Sequence, residues 1–274
     1  MASEAEEMIA AGEPGQALAL LQAQVKKQPA DVKLRIFLFQ LLCVLGQWPR
    51  AATQLEVCGE LDALTLAMVN TYREALKCEL VREKVFAGST TPLLLGQPQE
   101  WVARLVEAMQ SGGRGEAAVA ARLRSEALEM APAAAGTLNG EPFEWIADAD
   151  SRLGPVLEVI VNGRYAWVPF ASLGKVTIEA PEDLRDFVWA PAHLEFPNGG
   201  DSVALVPTRY PLGAGATGVE QLARSTDWEA LAEGQYAGRG QRMLVSSASE
   251  TGLLAVRELV MQGASADATS GDPA

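Results

Sequence analysis

Histidine and cysteine are nearly missing: His193 stands alone among 274 residues, and the cysteines are three, Cys43, Cys58 and Cys78. One histidine excludes a histidine-built metal cage. The cysteines form no C-x-x-C pair and lie in apolar helical stretches, which predicts small buried hydrophobes in a reducing compartment. Basic residues are also scarce, 22 Lys and Arg against 35 Asp and Glu, for a formal charge of -13. A protein that neutralises phosphates or docks on an anionic leaflet needs the opposite balance, so neither nucleic acid nor membrane is an expected partner. Long hydrophobic runs are missing as well. The best, Ile36 to Leu45, is interrupted by Gln40 and falls short of the roughly 20 residues that a spanning helix needs. Glu4, Glu6 and Glu7 stand where a secretory leader would be basic, so the expected address is the cytoplasm. There is no G-x-x-x-x-G-K-[ST] loop and no G-x-S-x-G elbow. No ATPase chemistry, serine nucleophile or cofactor is therefore expected.

What is present divides in two. Apolar residues make up 49% and charged residues 21%, as in ordinary globular proteins. Up to about residue 135 the chain is rich in Ala, Leu, Glu and Gln; Ala131-Pro-Ala-Ala-Ala-Gly136 then breaks helix, and aromatic and β-branched residues alternate with polar ones. The predicted class is α+β. Residues 1–135 form a tetratricopeptide-like helical domain, and residues 136–262 a small, mostly β, barrel-like domain with one or two helices. Residues 263–274 are a tail with nothing to bury, expected to be disordered.

The helical half repeats itself. Gly12, Ala17 and Leu21 recur as Gly46, Ala51 and Leu55, each displaced by 34 residues, which is the tetratricopeptide period. The glycines suit the turn between paired helices, the alanines a close backbone crossing, and the leucines the same face one turn on. Pro29 ends one helix before the next begins. A looser third echo is Gly112-Gly-Arg-Gly-Glu-Ala117, copying the spacing of Gly12 to Ala17. Residues 60–100 fit the repeat poorly. An irregular bundle with small residues at tight crossings would give a similar pattern. Stacked helix pairs leave a concave face for a partner's helix or peptide, and an acidic helical surface suits a protein partner.

In the β half, Pro155–Val161 and Tyr165–Phe170 are apolar runs joined by Asn162-Gly163-Arg164, a strong hairpin signal. Val176–Ala180, Phe187–Ala190 and Ser202–Pro207 predict further strands, with Asn198-Gly-Gly200 as a turn. Short, turn-bounded strands of this kind build a barrel or sandwich. Val219–Ala232 is predicted helical, with Leu222, Ala223, Thr226 and Ala230 on one stripe. Gly252–Met261 closes the domain as helix or strand.

Three motifs invite chemistry. Gly213-Ala-Gly-Ala-Thr-Gly218 spells G-x-G-x-x-G, but Pro211 interrupts it and no parallel strand run follows, so it predicts a flexible loop. Asp148 and Asp150 form a D-x-D pair able to hold a divalent cation, which leaves a metal-dependent enzyme as the alternative function. Arg152, close by, would instead make the pair structural. His193-Leu-Glu195 resembles the H-x-E of zinc deaminases without the downstream cysteines, and reads as a surface or capping histidine. What stands out is aromatic and arginine content. Arg152, Trp167, Trp189, Arg209, Tyr210, Trp228 and Arg242 are the candidate partner-binding residues, because Trp, Tyr and Arg dominate interface hot spots. The tryptophans are equally suited to a core with their N–H groups satisfied inside.

These residues lie in blocks that carry a family resemblance. Phe143-Glu-Trp-Ile-Ala-Asp-Ala-Asp-Ser-Arg-Leu-Gly-Pro-Val-Leu-Glu158 is followed by Asn162-Gly-Arg-Tyr-Ala-Trp-Val-Pro-Phe170. Leu184–Trp189, Val206–Pro211, Ala223–Trp228 and Gly240–Arg242 come after them. Together they resemble the ImpE family (also called SciE or TagJ), accessory proteins of type VI secretion. In place of that family's short Tyr-Pro-Gly-Ser-like loop the chain has Pro211-Leu-Gly-Ala-Gly-Ala216. The resemblance implies a cytoplasmic, non-enzymatic adaptor that binds the N-terminal segment, helix or peptide, of the small sheath subunit (TssB-like). It also implies help in presenting contracted sheath to the ClpV AAA+ ATPase. The binding surface is expected on the helical concave face or, preferably, in a groove involving the β half.

Overall fold

The computed structural model describes residues 3–97 and 99–262; the tail expected at 263–274 lies outside them. Four helices come first: α1 (Glu4–Ala10), α2 (Pro14–Lys27), α3 (Val32–Val44) and α4 (Trp48–Leu61). Local chemistry sets their ends. Ser3 and Glu6 make a capping box on α1, the Asp31 side chain accepts from Leu34 N at the start of α3, and Pro lies in the first turn of α2 and α4, where its missing N–H is not needed. Gly12 and Gly46 adopt φ of 83° and 66°. The next amide reaches back into the helix, Glu13 N to Met8 O and Gln47 N to Leu42 O, both 2.9 Å, which is the Schellman way of ending a helix. Ala17, Leu21, Ala51 and Leu55 are fully buried. The 34-residue repeat is thus a repeat of helix hairpins.

The long α5 (Leu66–Phe86) follows, and after it β1 (Leu93–Leu94), α6 (Glu100–Gly113) and α7 (Ala117–Met130). The 60–100 stretch fits no repeat because one long helix and an extended segment replace a helix pair. The third echo is real but three residues out of register. Gly115, φ 79°, takes the turn position, and Glu116 N bonds Ser111 O. Ala120 takes the buried position, whereas Ala117 is exposed and Gly112 belongs to α6.

The remaining chain is β2 (Gly136–Leu138), β3 (Glu141–Phe143), β4 (Ile146–Asp148), β5 (Val156–Val161), β6 (Arg164–Pro169), β7 (Lys175–Ile178), β8 (Trp189–Glu195) and β9 (Asp201–Pro207). After these come α8 (Gly218–Gln221), β10 (Thr226–Ala232), β11 (Gln235–Gly240), β12 (Met243–Ser246), β13 (Glu250–Gly252) and β14 (Glu258–Met261). Nine strands make one sheet in the order β1-β6-β5-β9-β8-β7-β14-β2-β3; β13-β12-β4 form a second, and β10-β11 a separate hairpin. The expected barrel is not closed: β1 and β3 are free edges of the large sheet. All its pairs are antiparallel except β1 with β6.

Two further expectations change. Val219–Ala232 is not a helix. Ala223, at φ 51°, stops α8 after one turn, and residues 226–232 pair with β11. The helical stripe there is a coincidence that cross-strand pairing overrides. The strand placed at Phe187–Ala190 starts instead at Trp189, after a 3-10 turn over Leu184–Phe187, and runs on to Glu195.

β5 is buried along its whole length, and its alternation divides two cores. Val156 and Ile160, with Tyr165 and Trp167 of β6, join the helices in one. Leu157, Val159 and Val161 join Val168, Leu194, Val206 and Leu259 in the other. Glu158 therefore points from the middle of the sheet toward α5. The last glycine of the G-x-G-x-x-G string is also structural: a Cβ on Gly218 would collide with the Gly12 carbonyl and lie 2.7 Å from Pro14 Cδ, whereas Gly213 faces open space. Gly218→Ala is expected to lower unfolding stability by about 2 kcal/mol and Gly213→Ala by less than about 0.5. Urea unfolding of the two variants checks this.

Candidate functional site

Glu158 meets Arg82 of α5. Arg82 Nε donates to Glu158 Oε1 at 2.6 Å and Nη2 to Oε2 at 3.0 Å, and Nη2 also donates to Arg209 O at 2.8 Å. Arg242 bridges Glu158 (3.1 Å) and Asp148 (2.6 Å), with no side-chain exposure in any of the three. Tyr165 Oη donates to Glu158 at 2.5 Å, Trp167 Nε1 to Tyr165 Oη at 2.7 Å, and Tyr210 Oη to Asp148 at 2.8 Å. Trp189 Nε1 donates to Glu79 of α5 at 2.8 Å. Arg209 donates to the Cys43 and Val44 carbonyls at the end of α3, at 2.8 and 2.6 Å, where a helix dipole favours a cation.

Charges so far from water survive only when fully matched. Burial acts to raise the Glu158 carboxyl, but Arg82 and Arg242 override it and hold the group at about 2. Burial wins at Asp148, lifting it to about 6 against the pull of Arg242. Burial also raises Cys58 and Cys78 to about 11, and all three cysteines are free and buried, so they are inert packing groups as expected.

The candidate residues thus separate. Trp167, Trp189, Arg209, Tyr210 and Arg242 are at most 2% exposed, all five come from the sheet side, and their polar groups are taken up inside the helix–sheet junction. Arg152 is 20% exposed, chelates Asp150 at 2.5 Å and stacks over Phe86 at 4.9 Å. Trp228 is 44% exposed. Asp148 and Asp150 do not face a common ligand space. Asp148 is held by Arg242 and Tyr210, Asp150 by Arg152 and Gly238 N. Among the described residues no three His, Cys, Asp or Glu side chains cluster as metal ligands. His193 is on the surface, 2.9 Å from Asp201.

Sequence reasoning missed Arg82 and Glu79 of the junction, and a groove on the outside. Between α5 and the sheet lies a cavity of about 590 Å³ lined by Met68, Tyr72, Ile160, Pro191, Val203 and Leu205 among others. Val203 is 79% exposed and Leu64, just before α5, 90%. A second concavity, about 710 Å³, lies between α1–α3 and the 182–187 turn and includes Leu34, Phe37, Gln40 and Leu184. The excess of negative charge is not helical: residues 1–135 hold 16 acidic and 13 basic residues, residues 136–274 hold 19 and 9. The expected acidic helical surface is close to balanced.

A family model described as ImpE protein matches residues 140–260, and one described as Tetratricopeptide repeat matches residues 8–64. The type VI secretion system accessory component TagJ of Pseudomonas aeruginosa is 52% identical over 261 residues, 93% of this chain and 90% of that protein. The chain belongs to the ImpE family. The fold agrees: the crystal structure of protein VPA1032 from Vibrio parahaemolyticus superposes with a TM-score of 0.87 at 25% identity, over 94% of this chain and 97% of that one. The ImpE match begins after α7 and β2, so the blocks that carried the resemblance hold mostly the sheet side of the junction.

The junction generates a pH test. Glu158 at about 2 in the folded state against 4.5 as its ordinary value contributes stability that is present above pH 4.5 and lost as pH falls toward 2. Glu158→Gln is expected to cost about 3 kcal/mol near neutrality. Chemical unfolding at a series of pH values should show that difference narrowing between pH 4.5 and 2.

Proposed function

We propose that this chain is a non-enzymatic accessory protein of a type VI secretion system, working in the cytoplasm. In this reading it holds the N-terminal segment of the small sheath subunit and helps present contracted sheath to the ClpV ATPase. Membership of the ImpE family and likeness to the P. aeruginosa accessory component support the setting. No helix of the described residues is long and apolar enough to cross a membrane. The engagement of both Asp148 and Asp150 by internal guanidinium groups supports binding over catalysis.

The observation that carries the reading is the groove beside α5. Ala67, Met68 and Thr71 form one wall, Pro191, Val203 and Leu205 the other, and Ile160 lies between. An amphipathic helix laid there would cover the most exposed valine and continue the helix-on-sheet packing that α5 begins. Glu74 and Arg185 also line the groove, paired with Lys77 and Asp183, each at 2.7 Å. In this arrangement the five buried candidate residues act indirectly, by fixing α5 against the sheet so that the groove keeps its width.

Binding of a synthetic peptide spanning the sheath subunit's N-terminal segment tests the reading by calorimetry. Val203→Asp should weaken it at least about tenfold, while the melting temperature stays within a few degrees because the residue is exposed. Equal binding of a sheath subunit with and without that segment would overturn the reading. Purified protein should also show no melting shift with divalent cations; a shift removed by Asp150→Asn would favour the metal-dependent alternative.

A further inference from the structure

A second surface lies away from the α5 groove and shares no residue with it. Trp228 and Tyr236 occupy one face of the β10–β11 hairpin, since Trp228 pairs with Gly238 and Ala230 with Tyr236, and residues two apart on a strand share a face. They are 44% and 46% exposed. The Trp228 ring is anchored against buried Tyr210, with centroids 6.0 Å apart. Tyr236 is anchored by its backbone, its N–H donating to Ser151 Oγ at 3.0 Å and its carbonyl accepting from Ser151 N at 2.9 Å. The Trp228 ring and the Tyr236 backbone are therefore held in position while part of each ring reaches solvent.

With Ala149, Val245 and Glu250 these rings enclose a cleft of about 380 Å³. Glu250 lies opposite Val245 in the β12–β13 register and is exposed, and among the described residues it makes no ion pair. Asp227, Glu229 and Glu233 of the same hairpin are also exposed. The hairpin's single cation, Arg239, is taken by Glu220 at 3.0 Å. An apolar occupant would strip water from Glu250 and give nothing back; an anion would be repelled. Two rings, a small aliphatic floor and an unpaired carboxylate match a cation on a methylene stem.

We propose that this cleft receives an arginine side chain of a partner polypeptide, its guanidinium stacked on Trp228 and Tyr236 and paired with Glu250. Arginine fits better than lysine because its plane can lie along a ring while its edge meets a carboxylate. The site gives the chain a contact with a basic segment that is separate from the apolar one beside α5, so either can fail without the other.

The test uses the full chain carrying nitrogen-labelled tryptophan, the Trp228 indole resonance being assigned with Trp228→Phe. It is titrated with acetyl-alanyl-arginyl-alanine amide and with the same peptide carrying citrulline or leucine in place of arginine. The expected result is a saturable shift of the Trp228 signal with the arginine peptide, the citrulline and leucine peptides binding at least about fivefold more weakly. Glu250→Gln should reduce arginine-peptide affinity by about the same factor, with an unchanged melting temperature. No saturable shift, equal affinity for the citrulline or leucine peptide, or an unaffected Glu250→Gln variant would overturn the assignment.

Discussion

The arrangement of this molecule depends on a set of charges buried between its helices and its sheet. Arg82 comes from α5, Glu158 from β5, Asp148 from the end of β4 and Arg242 from just before β12, and each is at most 3% exposed. Such a set tolerates no slack, because any separation would leave a bare charge out of water. Apolar contact alone would let a helix layer slide on a sheet; a bidentate guanidinium does not. Trp189 donating to Glu79 and Arg209 reaching the end of α3 extend the same constraint to the edges of the contact. The aromatic chain Phe39, Tyr72, Trp189, Trp48, with successive ring centroids 5.8 to 5.9 Å apart, fills the space between.

Local features were legible in the sequence and long-range ones were not. Gly12 and Gly46 announced their turns because a left-handed helix end needs glycine, and Asn162-Gly163 announced its hairpin for a similar reason. Three glycines close together, at 112, 113 and 115, blurred the register of the third turn. The 226–232 strand was hidden because its partner β11 must be known before the helical spacing of Leu222, Ala223, Thr226 and Ala230 can be discounted. Arg82 and Glu158 are 76 residues apart, beyond any spacing rule. The available signal was Glu158 itself, a lone carboxylate in the run Pro155–Val161, where a fully buried strand should have none unless a cation waits opposite.

The same residues explain why the resemblance was strong while the candidate site was only partly visible. Tryptophan, tyrosine and arginine are used in cores and at interfaces for one reason, a large apolar body with a polar tip. Sequence cannot tell which use applies. Here most of them turn inward, and the two surfaces proposed for partners are made of plainer residues such as Val203, Met68 and Pro191, with Trp228 and Tyr236 as aromatic exceptions.

The short strand β1 has a wider consequence. It is the helical half's own contribution to the large sheet, lying parallel to β6 through Leu93 and Leu94, with Leu95 N bonded to Trp167 O. A fragment starting after the helices would bare the outer backbone of β6, a strand buried over most of its length, and bare strand edges recruit other molecules. The segment between α5 and α6 thus occupies that edge with its own two-residue strand, where a neighbour's strand would otherwise add.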